Sequence, residues 1–252
     1  MSAHYDTYDY PTYWINREYE HKSELIALSA LLHKIKKIKI VADYGAGFGR
    51  LVPSYYYRAD KIILSDPSLK LLNQAKKKYK SKKIKFIHSR IENIGSKIKK
   101  NTVDLAIVVR VLHHIQNMED AFCKIQATIK PGGYLILEFA NKSHGKELLK
   151  QVIHGNLTFP LDIFSKDIRS KKNVKNNSIA FNNYHPDFII QKLRECNFDI
   201  LEKVSVSNIR LPFMKRHFPL SVLLALEKYA QIVMTPFNFG PSIFILAKKK
   251  IT

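Results

Sequence analysis

Acid and cysteine are both scarce in this sequence. Across 252 residues, 21 Asp+Glu stand against 42 Lys+Arg, a formal net charge of +21 before histidine. Two cysteines, Cys123 and Cys196, are too few for a disulfide framework or a four-cysteine zinc or iron–sulfur cage. They are expected to be buried packing residues in a reducing cytoplasm. No run approaches ~18 uncharged apolar residues, so no membrane-spanning helix is expected. The opening MSAHYDTYDYPTYW has neither a basic region nor an apolar stretch and does not read as a secretory signal. Disorder is excluded too, because 46% of the residues are hydrophobic and 11% aromatic. Neither an internal repeat nor a separating linker is visible, so residues 1–252 are expected to form one domain.

The basic excess consists of 33 Lys and 9 Arg. Readers of nucleic acid favour arginine where planar, bidentate contacts matter, so a lysine-heavy excess is first a compositional trait. Its sum still favours an anionic partner, either RNA or a membrane surface.

Apolar spacing from Ser23 to about Lys37 predicts a helix, with Ser23 a candidate cap. After it, short β-branched runs alternate with helical ones. IKIVADY (38–44), KIILSD (61–66), IKFIH (84–88) and VDLAIVV (103–109) read as strands; Ser68–Lys78, capped by Ser68, and Met118–Ile129 read as helices. Pro131-Gly132-Gly133 reads as a turn into the strand YLILEF (134–139). That alternation builds right-handed βαβ units and a mostly parallel sheet flanked by helices. Beyond it come a helix from about Lys146, a helix from Pro186 to Cys196, a strand near Asp199–Val206 and a last strand, SIFILA (242–247). Two long connections, 141–184 and 207–241, interrupt the rhythm, and segments of that length are usually binding elements. The second contains LSVLLALEKYAQIVM, preceded by Met214-Lys215-Arg216-His217. That pattern suits either a helix packed on its own domain or one resting on an anionic membrane.

Chemistry concentrates in VADYGAGFGR (41–50). A buried strand ends at Asp43, and Gly45, Gly47 and Gly49 alternate before a helix, as they must where backbone turns sharply and a ligand approaches it. Arg50 occupies the position where a dinucleotide fingerprint would place its third glycine. Asp66 ends the second strand, where a carboxylate can accept both hydroxyls of a ribose. His113 and His114 follow the fourth strand, at the sheet edge where open α/β folds bind ligands. Either could act as a base or merely satisfy local groups. His185 precedes Pro186 and could face an acceptor or cap the helix that the proline opens.

From the glycine loop through Asp66, SRIE (89–92), VVRVLHHI (108–115) and KPGGYLILEF (130–139), the chain resembles a class I S-adenosylmethionine-dependent methyltransferase. The likeness is to the type 11 group, which includes small-molecule and quinone-ring methylases. It is strong over 41–140, and DYPTYWINREYEHKSE (9–24) shares it. The resemblance implies an α/β, Rossmann-like, seven-stranded mostly parallel sheet with helices on both faces. It adds an N-terminal helical segment (1–37), a cofactor-binding core (38–140) and helical cap inserts (141–184 and 207–241). It also implies S-adenosylmethionine as cofactor, S-adenosylhomocysteine as product, no metal, and a small-molecule acceptor.

Residue by residue, the resemblance places Asp43 near the cofactor amino group, and Gly45, Ala46, Gly47 and Gly49 under its methionine and ribose. Asp66 would take the ribose hydroxyls and Pro67 would pack beside the adenine. Val109 and Arg110 would contact the cofactor at the end of the fourth strand. Where relatives offer an Asp to the adenine amino group, this chain has Arg90, which donates but cannot accept. Ile91 and Glu92 are the remaining candidates for that contact. Arg17 is placed where relatives put a basic group on the cofactor carboxylate; it would equally serve as a surface charge. His114 and His185 are the candidate bases. Methyl transfer from a sulfonium is chiefly a matter of alignment, so an essential base is not required.

The amino-directed DNA methylase signature [DNS]PP[YF] is missing after the fourth strand, and no Pro-Cys nucleophile is present for cytosine C5 chemistry. An RNA (tRNA or rRNA) methyltransferase and a non-catalytic cofactor-binding scaffold are the competing readings. The expected location is cytoplasmic, or peripheral to a membrane.

Overall fold

The computed structural model describes residues 10–169 and 181–251. A helix, α1 (Glu18–His33), precedes the alternating core. The core runs β1 (Ile40–Tyr44), α2 (Val52–Tyr55), β2 (Lys61–Asp66), α3 (Leu69–Lys78), β3 (Ile84–His88), β4 (Val103–Val108), α4 (Met118–Thr128) and β5 (Ile129–Ala140). Beyond it lie α5 (Gly145–Ile153), a small antiparallel pair β6 (Lys166–Asp167) and β7 (Asn182–Asn183), and α6 (Pro186–Glu195). The chain closes with β8 (Phe198–Val206), α7 (Pro212–His217), α8 (Leu220–Val233) and β9 (Ser242–Lys249).

Seven strands form one sheet in the order β3-β2-β1-β4-β5-β9-β8, parallel from β3 to β5, with β9 antiparallel to both β5 and β8. The continuous apolar strands are explained by burial on both faces. Leu105 and Ile107 face one cluster with Val41, Ile136 and α1; Ala106 and Val108 face the other with Leu135, α4 and α6. The sheet therefore carries helices on both faces, as expected.

Three expectations are corrected. Ser23 is no cap: α1 begins earlier, and Ser23 is buried within it, its hydroxyl donating to the Tyr19 carbonyl (2.7 Å). Pro131-Gly132-Gly133 lies inside β5, which starts at Ile129, and a register shift against Val103/Leu105 absorbs it. Cys123 is exposed and so is no buried packing residue, whereas Cys196 is half-buried and packs against the core, with the two sulfurs 3.8 Å apart.

Strand register places the two long inserts. Ala140, ending β5, pairs with Ser242, which begins β9, and Val206, ending β8, pairs with the same residue. β1 and β4 run parallel to β5. The glycine loop, the segment after β4 and both inserts thus leave from one edge, the carboxyl ends of the parallel strands.

Candidate functional site

The loop after β1 is shaped by contacts that exclude side chains. Gly45 has φ +74°, and a Cβ there would stand 2.2 Å from Val111 Cγ2. Gly47 has φ +55°, yet a Cβ there would meet only Leu71 Cδ1, at 3.7 Å. The first glycine lets the segment after β4 close on the backbone; the second leaves open space above it. Gly45 N–H and Ala46 N–H both donate to the Ser65 carbonyl (2.7 and 3.0 Å). The Asp66 carboxylate accepts from Gly47 N–H (2.8 Å) and Ser68 N–H (2.7 Å), locking the loop to the end of β2. Ser68 caps α3 as expected, accepting from Leu71 N–H.

Above the loop lies a cavity of about 100 Å³. Gly45, Gly47, Asp66, Pro67, Val109, Arg110 and His114, all singled out from the sequence, line it, joined by Leu71 and Val111. The cavity sits between β1 and β4, where the strand order reverses direction, the usual place for a ligand in an open sheet.

The other predicted residues lie elsewhere. Ala46 and Gly49 belong to the loop but not to the cavity wall. Asp43 is buried beneath it, accepting from the Tyr55 hydroxyl (2.6 Å). Burial and neighbouring Asp66 raise its pKa to about 7, against the pull of Tyr55 and Arg50. Arg17 stacks on Tyr13 and donates to its hydroxyl (2.9 Å). Arg90, exposed, starts a short 3₁₀ turn with Ile91 and Glu92; Ile91 packs into the core beneath α4. His185 caps α6, its Nδ1 accepting from Asp187 N–H (3.3 Å), which is the helix-capping alternative. His113 is buried against Phe181 (4.3 Å) and His114 (3.9 Å). Burial and the nearby His114 and Arg110 hold its pKa well below the ordinary histidine value, so it packs as a neutral ring.

One cluster escaped the sequence reading. Glu24, fully buried, pairs with Arg50 (2.7 Å) and Arg110 (2.5 Å), and the Arg50 guanidinium lies 3.9 Å from the centre of the Trp14 ring. Burial pushes the Glu24 carboxyl up, but Arg110 and Arg50 more than offset it and hold it below the usual range. Arg110 has φ +62°, rare for a residue with a side chain, and its N–H donates to buried Glu138 (2.7 Å). A signal was available: Glu24 lies on the stripe that continues as Ala27, Leu28 and Leu31, and a carboxylate on a buried stripe needs a cation.

Comparison with known proteins agrees with this geometry. A family model described as a methyltransferase domain matches residues 42–137. The tRNA 5-carboxymethoxyuridine methyltransferase of Escherichia coli K12 is 28% identical over 123 residues, 47% of this chain and 46% of that protein. The match thus spans less than half the length of that curated relative. An S-adenosylmethionine-dependent methyltransferase from Mesorhizobium loti superposes with TM-score 0.61 at 15% identity, covering 90% of this chain and 98% of that one. The N-methyltransferase NodS from Bradyrhizobium japonicum WM9, solved with S-adenosylhomocysteine, gives TM-score 0.61 at 12% identity over 97% and 94% of the two chains. Residues 42–137 thus match a methyltransferase domain, and the strand order and glycine loop around them are those of the class I S-adenosylmethionine-dependent methyltransferase fold.

Proposed function

We propose that the chain transfers a methyl group from S-adenosylmethionine to a small, apolar or aromatic acceptor seated beneath the two inserts. One observation carries this reading: the cavity over Gly47 and Asp66 opens at the same sheet edge from which both inserts rise. The residues present suit the cofactor. Gly47 leaves room for a ligand against the backbone, and the Asp66 carboxylate, held by the Gly47 and Ser68 amides, lines the cavity where a carboxylate suits ribose hydroxyls. When bound, the cofactor supplies an electrophilic methyl. Pro67, Val109 and Leu71 give the site apolar walls that exclude water. Arg110, oriented by Glu24, presents positive charge to a carboxylate, and His114 stands at the wall as the residue able to take a proton from an acidic acceptor. Bringing the acceptor within ~3–3.5 Å of the methyl provides roughly 7–11 kcal/mol without a dedicated base. Arg90, Ile91 and Glu92 lie beyond the cavity wall and are assigned to the adenine end.

A second reading, an RNA acceptor, draws on the Escherichia coli tRNA methyltransferase and the +21 charge. It predicts an RNA affinity that falls steeply with salt, and a flat salt response rejects it. In the test of the main reading, titration calorimetry shows the protein binding S-adenosylmethionine, while Asp66→Ala and Gly47→Val each weaken binding by at least about 100-fold. Unchanged affinity in both variants overturns the cofactor site.

A further inference from the structure

Helix α8 is packed inside out. Its buried positions are Leu223, Glu227, Ala230 and Gln231, two of them polar, whereas Val222, Leu226, Tyr229 and Ile232 lie 41%, 42%, 69% and 72% exposed. Exposed aromatic residues flank the helix in sequence, Phe213 (65% exposed) before it and Phe237 (69%) after it. A face of this kind on a folded chain marks something that covers it.

Charge identifies the cover. Within 207–241 the sole carboxylate is Glu227, and it is buried, so the outward charges of this insert are the basic Arg210, Lys215, Arg216 and Lys228. Arg210 and Lys215 answer Glu20 of α1. Arg216 and Lys228 make no ion pair among the described residues. A second copy of the chain would set these cations against themselves across a two-fold contact. RNA phosphates would meet the cations but gain little from Val222, Leu226 and Ile232. A bilayer with anionic headgroups satisfies both halves, taking the apolar side chains into the acyl boundary and the cations at the phosphates. Among the described residues no helix is long and apolar enough to cross a membrane, so the contact would lie in the surface plane. The same helix walls a groove of about 770 Å³ with α1 and β8, where Leu25, Ile26 and Leu224 form apolar sides beside Lys22 and Lys203. That size and lining suit an acyl chain.

We propose that the outer face of α8, with Phe213 and Phe237, is a docking surface for an anionic lipid bilayer. It does not depend on the assigned methyl transfer. The full chain is floated with vesicles of phosphatidylcholine alone or with phosphatidylglycerol added. Co-flotation with the anionic vesicles is expected, reduced at least about tenfold in a Leu226→Glu/Tyr229→Glu variant and weakened by Arg216→Glu or by salt. Both variants change exposed side chains, and unchanged melting and S-adenosylmethionine binding check their fold. No flotation of the parent protein on anionic vesicles overturns the proposal. So does equal flotation of the double variant, a parent dimer that the double variant dissolves, or tRNA binding lost in the same variant without lipid binding in the parent.

Discussion

The two inserts leave the same sheet edge and are fastened in opposite ways. Segment 207–241 is tied through its middle. Buried Glu227 accepts from the Tyr19 hydroxyl (2.6 Å), Ser207 N–H (2.8 Å) and Asn208 N–H (2.9 Å), joining α8 to α1 and to the exit of β8. Segment 141–169 is tied at its root and, at its far end, by the short β6–β7 pair. Buried Lys142 donates to the carbonyls of Asp162 and Phe164 (both 2.8 Å), Asn141 holds the Asn238 and Gly240 carbonyls, and α5 itself buries no side chain. Neither helix contributes to the two apolar clusters of the sheet. Polar groups therefore decide which insert is part of the frame and which can move over the cleft.

The largest expected effect breaks the stronger tie. Glu227→Leu strands the Tyr19 hydroxyl and two amides in a buried site, costing at least about 3 kcal/mol at about 1–3 kcal/mol per orphaned group. Urea titration reads this as a lower midpoint. A change under about 1 kcal/mol would show that α8 is not held by its carboxylate, and the contrast between the inserts would fall.

Acid attacks the same insert from its other end. Burial pushes the Glu20 carboxyl up, but its bonds to Lys215 and its proximity to Arg210 pull it below the usual glutamate value. A depressed folded-state pKa contributes stability above the unfolded value of about 4.3 and loses it as pH falls through the folded one. Melting between pH 5 and pH 3 should fall more steeply in the parent than in Glu20→Gln. Parallel curves would remove Glu20 from the anchorage.

Core elements were legible because each declares itself locally: β2 and β3 were bounded to the residue, Ser68 was recognised as a cap, and the glycine loop identified the site. Boundaries failed where tertiary contacts override local signals. Pro131-Gly132-Gly133 has turn chemistry, yet β4 and β9 pair with the strand around it. Ser23 looks like a cap but is buried between α1 and Gln231, whose amide donates to its carbonyl. Glu24 and Glu227 were missed together because helical periodicity was read through the apolar residues alone. Their partners, Arg110 and Tyr19, are distant in sequence, so only the charge on an apolar stripe announces them. Arg17, Asp43, Arg90 and His185 were named by position in a motif, and each has a local partner or an exposed location outside the cavity.

The smallest effect is the most diagnostic of mobility. Lys142→Met removes the root of the first insert, stranding the 162 and 164 carbonyls, yet nothing in the sheet depends on that tie. Hydrogen exchange of the α5 amides should quicken by about tenfold, as expected of an element with few buried contacts and a low opening free energy. The urea midpoint should move little, because the strands and α1 unfold together without reference to α5. α8 amides in the same sample serve as the internal standard and should be unchanged. If Lys142→Met lowered global stability as far as Glu227→Leu does, both inserts would belong to the cooperative frame. Access to the cleft over Gly47 and Asp66 would then have to come from α1 and Trp14, which the Arg50–Glu24–Arg110 cluster holds in place.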